Sequence, residues 1–362
     1  MPTLTRYVTR IFLSHLVVML VAFVALLQLL DLLNNAEDII RRHGDSPFVL
    51  ARYAVLRLPE LITFLLPFSI LMASLLSLAK LSQSNEILAL KASGLSFYRT
   101  LFAFLPAVTV IAGIHFLLSD QVAPQTSRTL SQWDAEAEAR GDIPEDSQAS
   151  GFWTKDGQTL VRVSGVADQG RKLWGVTLFQ RDAGGNLVDR VTAVTATYDD
   201  GEWQLADVER LAVMAGTGGE FKRFPTLRWE SSLTPNHFAD LSAPPSTLSL
   251  RELIAFVTNP DVGNRPLYFY ETWLHKRVAL PVASMLMVLL AAPVAQGLQR
   301  HRGVGMGLAV GVGLGFLYFV TDGLVLALGE AGAIPPALAA WAPSVLFASI
   351  GTLALIRIEG YR

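Results

Sequence analysis

Asp322 lies inside an apolar stretch, Val304 to Leu328, where an ionised carboxylate has no water to solvate it. An aspartate in a membrane span costs about 2.5–3.5 kcal/mol on insertion scales, so it pairs with a partner, lines a cavity or carries protons. No second acid or base is aligned beside it in the sequence, which puts a structural or cavity-lining role ahead of proton coupling. The six histidines, at positions 15, 43, 115, 237, 275 and 301, are scattered without the spacing of metal ligands. His15 and His115 read as packed or interfacial residues rather than catalysts. The sequence contains no Walker A, HExxH or GxSxG pattern. Neither ATP hydrolysis by this chain, nor zinc-protease chemistry, nor an elbow-type nucleophile is therefore expected, and no cofactor or metal is implied. Cysteine is absent, which removes disulfides and thiolate sites as well.

A different chemistry, docking, is offered by the polar segment Ser82 to Gly94. Ser84 suits an N-cap, Glu86 would sit in the first turn where a negative charge favours the helix dipole, and Gly94 can end a helix in the left-handed conformation. Ile87, Leu90 and Lys91 then share one face by i, i+3, i+4 spacing. Such a helix is either a linker or a handle for a partner.

The elements that would hold these groups are mostly membrane spans. Hydrophobic residues make up 51% of the 362 positions and charged residues 17%, a membrane-protein balance. Six stretches are long enough to cross about 30 Å of hydrocarbon as helices. They run from Ile11 to Leu33, Leu61 to Ala79, Leu101 to Ser119, Val278 to Ala295, Val304 to Leu328 and Ala337 to Ile356. The first is too long for a signal-peptide core and reads as a retained anchor. An even number of spans puts both termini on one side, together with Ser82 to Gly94. That side carries Arg6, Arg10, Lys80, Lys91, Arg99, Arg300, Arg302, Arg357 and Arg362 against only Glu86 and Glu359, so the positive-inside rule assigns it to the cytoplasm. The net charge of −2 provides no basic field for nucleic acid.

The opposite side receives the middle of the chain, whose pattern is β. Thr159 to Ser164, Trp174 to Arg181, Val191 to Tyr198 and Trp203 to Val208 are rich in Val, Thr and aromatics. Turn signals separate them: Lys155-Asp156-Gly157, Asp182 to Asn186, Asp199-Asp200-Gly201 and Gly216 to Gly219. Strands so spaced favour a sandwich or roll. Gln132 to Arg140 reads as a helical connector, and Ser249 to Thr258 as a helix with Ser249 as cap and Glu252 at its third position. The expected class is an α+β membrane protein with three plus three spans: 1–120, an inserted extracytoplasmic domain at 121–266, and 267–362.

Two further patterns point outward. Gly303, Gly307, Gly311 and Gly315 recur every four residues in the fifth span, forming a ridge against which another helix, of this chain or a partner, can pack closely. At the outer rim, Arg41, Arg42, Arg52 and Arg57 occupy the loop after the first span, with Arg128, Lys276 and Arg277 at the ends of others. These cations suit an anionic head group, although Glu37, Asp38, Asp45 and Glu60 neutralise the same loop.

Taken in order, several segments resemble the lipopolysaccharide-export permeases of the LptF/LptG family, the LptG branch more than the LptF branch. They are Ser84 to Gly94, Val122-Ala123-Pro124-Gln125, Phe152 to Gly157, Trp229 to Pro235 and Gly332 to Pro336, and the similarity covers nearly the whole chain. The resemblance implies a permease half of an ATP-binding-cassette exporter in a Gram-negative inner membrane, with a periplasmic β-jellyroll. It implies an LptF-like partner permease, an LptB-like ATPase dimer, LptC, and LptA beyond it in the periplasmic bridge, with lipopolysaccharide as substrate. Ser82 to Gly94 would be the coupling helix, Glu86 carrying the family's glutamate. Spans one and five would line a lateral gate, and Arg41, Arg42 and Arg128 would meet the lipid head group, helped by Arg52, Lys276 or Arg277 where a lysine is replaced by Asn34 or Asn35. The alternatives are a membrane scaffold whose β domain binds a periplasmic protein, and an ion-coupled transporter using Asp322.

Overall fold

A computed structural model describes residues 2–94, 96–138, 151–182, 184–214, 217–242, 248–259, 263–301 and 304–359. The chain divides into a helical unit, residues 1–36, 57–123 and 271–362, and a second unit, residues 37–56 and 124–270. The second unit thus takes in the facing ends of the first two helices as well as the sheet.

In the helical unit the apolar stretches form helices longer than the spans read from the sequence. Helix α1 is Pro2–His43 and α2 is Pro47–Gln83. At 42 residues α1 is about 60 Å long, twice the hydrocarbon thickness, so Arg41 and Arg42 lie on a helical extension rather than in a loop. The loop shrinks to Gly44–Ser46, where Gly44 takes φ +95 and its N–H reaches Ile40 O at 2.8 Å. Then come α3 (Glu86–Ala92), α4 (Phe97–Phe102), α5 (Leu105–Leu117), a π turn at Leu118–Val122 and α6 (Ala123–Glu138). The helices α9 (Leu267–His301), α10 (Val304–Glu330) and α11 (Pro336–Glu359) complete six candidate spans. Their shared core includes Val8, Phe12, Ile70, Leu71, Leu75, Ile87, Phe104, Met287 and Ala291.

The π turn has a local cause. Pro124 has no N–H to give, and its ring would collide with a carbonyl in a regular helix. Ala123 N–H instead reaches back five residues to Leu118 O. In that register Ser119 O is the carbonyl that would wait for Pro124.

The second unit is built on a seven-stranded antiparallel sheet. Its strands are β1 (Phe152–Asp156), β2 (Thr159–Val163), β3 (Gly165–Ala167), β4 (Lys172–Arg181), β5 (Leu187–Asp199), β6 (Glu202–Met214) and β7 (Thr217–Trp229). They pair in the order β1-β2-β4-β5-β6-β7, with β3 beside β4. Gly218 and Gly219, expected in a turn, belong to β7, and Gly216 lies outside the described residues. Two short helices follow, α7 (Pro235–Ser242) and α8 (Leu250–Thr258). Ser249 caps α8 as expected: its Oγ accepts from Glu252 N, and Glu252 Oε2 accepts from Ser249 N at 2.9 Å. The first and last strands meet at one end. Asp156, ending β1, accepts from Ser231 Oγ at 2.6 Å, Ser232 Oγ at 2.6 Å and Ser232 N at 3.2 Å, just past β7. The sheet therefore curls, and two of the segments that carry the family resemblance touch.

A crease crosses four of these strands at one level. Pairing is regular on both sides, Trp174↔Thr195 and Val176↔Ala193, Thr195↔Ala206 and Ala193↔Val208, Ala206↔Thr226 and Val208↔Phe224. Between them Gly175, Val194, Asp207 and Pro225 face one another without ladder pairing. Gly175 and Asp207 have φ of +60 and +53, and Pro225 has no N–H to contribute. A strand alternates its faces every second residue, but a left-handed residue adds one step. Inward positions jump by three across the row, at the left-handed residue in β4 (Leu173 to Val176) and β6 (Leu205 to Val208), and beside them without a positive φ in β5 (Ala193 to Ala196) and β7 (Phe224 to Leu227). Both halves of each strand thus serve one core, in which Trp203, Trp229 and Phe238 cluster and Trp203 Nε1–H donates to Leu233 O at 2.9 Å.

Candidate functional site

The short helix α3, expected as a linker or a handle, differs from its expected form at its start. Ser82 and Gln83 still belong to α2, and the chain reverses at Asn85, whose φ is +56. Ser84 does not cap α3. Its hydroxyl is instead placed to donate to Lys80 O at 3.0 Å or to Glu86 Oε1 at 2.8 Å, closing the end of α2. Gly94 does take the left-handed conformation, at φ +84. Glu86 opens α3, and Tyr7 of α1 donates its hydroxyl to the same Oε1 at 3.0 Å.

The outward face also changes. Ile87 is 3% exposed and belongs to the helical core, so it anchors α3 rather than offering it. Leu90 is half-buried, whereas Leu88, which the sequence pattern passed over, is 66% exposed beside exposed Ala89 and Ala92. The side chain of Lys91 lies outside the described residues. The exposed face of α3 is Leu88, Ala89 and Ala92, next to the Glu86 carboxylate.

The basic residues are mostly engaged within the chain. Arg41 pairs with Asp38 and is exposed, as is Arg42. Arg52 sets its guanidinium 4.8 Å over the ring of Trp133, whose ring also stacks on His43 at 3.7 Å. Arg128 forms an ion pair with Glu252 at 2.5 Å, fastening α6 to α8. Arg57 meets Glu60 at 2.6 Å and Asp31 at 3.9 Å.

Lys276 and Arg277 are both buried in the helical unit, not exposed as Arg41 and Arg42 are. Lys276 of α9 is paired with Asp322 of α10, so the aspartate has the cationic partner that the sequence did not reveal. Arg277 donates to Ser119 O at 2.7 Å, the carbonyl for which Pro124 has no hydrogen. Its guanidinium replaces a missing backbone donor. His115 is likewise a packed residue. Its Nε2 lies 3.1 Å from Thr63 O, which can only accept, so Nε2 carries the proton and Nδ1 accepts from Ser284 Oγ at 2.8 Å.

The glycine ridge meets this chain's own second helix. A Cβ on Gly311 would collide with Leu75 and Met72 of α2, and one on Gly315 would lie 2.7 Å from the ring of Phe68. Gly307 is buried, and Gly303 lies outside the described residues. Gly305 and Gly313 face open space. The two spans with the smallest buried share are α1, at 11%, and α10, at 17%, so most of their apolar surface meets lipid or another chain. In the second unit, a cavity of about 710 Å³ lies along the crease, bordered by Trp174, Gly175, Val194, Asp207, Phe224 and Pro225.

Six long apolar helices, an antiparallel sheet that follows the third and precedes the fourth along the chain, and a short helix between spans two and three are the features against which known proteins can be compared. The family described as lipopolysaccharide export system permease LptF/LptG matches residues 6–357. The chain belongs to the LptF/LptG family. It is 25% identical over 347 residues to the lipopolysaccharide export system permease protein LptG of Haemophilus influenzae, covering 95% of this chain and 96% of that protein. It is 23% identical over 307 residues to LptG of Escherichia coli K12, covering 84% of each. Membership in this permease family, with six apolar helices, makes the chain a multi-pass inner-membrane protein rather than an enzyme. Within the LptF/LptG frame, the pair Lys276–Asp322 and the bond Arg277–Ser119 were not legible because each joins residues on different helices, 46 and 158 positions apart.

Proposed function

We propose that this chain is the LptG-like half of an ATP-binding-cassette exporter that takes lipopolysaccharide from the outer leaflet of the inner membrane. It pairs with an LptF-like permease, and an LptB-like ATPase dimer docks on α3 from the cytoplasm. Both termini lie on that side and the sheet lies in the periplasm, the orientation favoured by the excess of basic residues at the cytoplasmic ends. The lipid enters between α1 and α10 and their counterparts in the partner. ATP binding draws the docking helices together, the space narrows, and the lipid passes to the β domain and onward to LptC and LptA. The β domain takes the family's jellyroll role, and the cavity of about 710 Å³ along its crease offers space for part of the lipid.

The observation that carries this reading is α3 itself. It is a separate seven-residue helix, anchored inward by Ile87 and presenting Leu88 and Glu86 outward, the form a docking element needs and a mere connector does not. Motion supplied by another protein also fits a chain without a Walker A sequence. The ion-coupled alternative loses its main support, since Asp322 is neutralised by Lys276.

In proteoliposomes holding this permease, its partner permease and the ATPase, Glu86→Ala and Leu88→Asp should each abolish ATP-driven lipopolysaccharide release while the chain still inserts. Full release by both variants would sink the docking role. A photocrosslinker at Val194 should capture lipopolysaccharide in amounts that rise with ATP; protein adducts alone would favour a scaffold.

A further inference from the structure

Tyr7 donates its hydroxyl to Glu86 from 79 residues away, and that contact ties the first span to the docking helix without passing through α2. The residues beside it face inward. Val8 and Ile87, the neighbours of Tyr7 and Glu86, are 0% and 3% exposed and belong to the same apolar core. Glu86 Oε1 takes the Tyr7 hydroxyl and lies within reach of Ser84, while Oε2 receives no hydrogen bond among the described residues. A carboxylate offers about four lone-pair sites, so the free oxygen can meet a cation from outside while Oε1 stays held.

The two helices tied to α3, α2 by the chain and α1 by the Tyr7–Glu86 bond, differ as levers. α2 contains Pro59 and Pro67, each of which removes a backbone hydrogen bond and weakens the rod. α1 has no proline after Pro2 and runs unbroken for 42 residues. It is also the span with the smallest buried share, so the fewest internal contacts oppose its movement.

We propose that Tyr7 is a positioning residue for coupling: its hydroxyl orients the Glu86 carboxylate towards the ATPase and transmits displacement of α3 directly to α1. This rests on the reading of α3 as the docking helix. Tyr7→Phe keeps the ring and removes only the hydroxyl, and the test uses the complete complex in proteoliposomes containing lipopolysaccharide. The readout is ATP hydrolysed per lipopolysaccharide released, with the thermal midpoint of the complex measured alongside. Losing this one solvent-exposed hydrogen bond, which water screens to the strength of an ordinary one, should raise that ratio about three- to tenfold, with the midpoint unchanged. Adding Tyr7→Phe to Glu86→Ala should make the ratio no worse than Glu86→Ala alone. A wild-type ratio for Tyr7→Phe beside an uncoupled Glu86→Ala would overturn the link and leave the docking helix standing. A wild-type ratio for both would overturn the docking reading too. A lowered midpoint with an unchanged ratio would make Tyr7 merely structural, which also overturns the proposal.

Discussion

Gly311 and Gly315 sit in ordinary helical backbone and are small because side chains of α2 fill the space beside them, whereas Gly175 in the sheet combines a φ of +60 with a close approach to Ser164. In the helical unit, apolar surface distinguishes poorly between a neighbouring helix and a lipid tail. Association there depends on close steric fit and on polar pairs. The ridge on α10 and the pair Lys276–Asp322 are instances of each, joining α10 to α2 and to α9. In the sheet unit, water outside makes burial itself decisive. There the backbone conformation at Gly175 and Asp207 sets which residues of β4 and β6 point inward, and β5 and β7 keep step with them. Fit holds the first unit together; backbone conformation sets up the second.

The largest effect should come from the charge pair. Asp322→Leu leaves Lys276 buried without a partner and should destabilise the helical unit by about 3–5 kcal/mol. The double variant Lys276→Met, Asp322→Leu should recover most of that loss, because two apolar residues of similar size replace the pair. Thermal unfolding of the detergent-solubilised protein reads both. Equal loss in the single and double variants would show that α9 and α10 do not depend on the pair. Next in size is the ridge: Gly315→Leu should cost about 1–3 kcal/mol by overpacking against Phe68 and Leu71. Gly313→Leu, which meets nothing within 4 Å, should be neutral or slightly stabilising. Similar losses at both positions would mean that intolerance of side chains belongs to the whole helix and not to one face.

The same contrast explains what could be read from the sequence. Hydropathy revealed all six spans, since a run of apolar residues needs no partner to be recognised. Their ends were placed too early, as with α1, because polar residues such as Arg41 and Arg42 continue a helix outside the hydrocarbon. Four central strands were legible from their Val, Thr and aromatic content. β1, the three-residue β3 and β7 were not, the last because Gly218, Gly219, Lys222 and Pro225 disguise it. Of the candidate site, Glu86 and the left-handed Gly94 followed from local chemistry. The inward turn of Ile87 and the outward turn of Leu88 did not, since helical spacing shows which residues share a face but not which face is buried.

The smallest effect tests the sheet's half of the comparison. Asp207 holds a left-handed conformation that an aspartate tolerates and a glycine adopts without cost. Asp207→Gly should therefore be neutral or stabilise by less than about 1 kcal/mol, the lost strain offset by the greater freedom of glycine in the unfolded chain. Asp207→Val should cost about 1–2 kcal/mol, since a β-branched residue resists positive φ. Hydrogen exchange in the intact protein locates the change. If backbone conformation sets the inward step, Asp207→Val should expose amides on β5, β6 and β7 on both sides of the crease, because a reversed step at residue 207 would put Val208 or Leu205 on the wrong face. Exchange confined to residue 207 and its immediate neighbours would mean that the buried side chains hold the step by themselves, and the two units would then be stabilised in the same way.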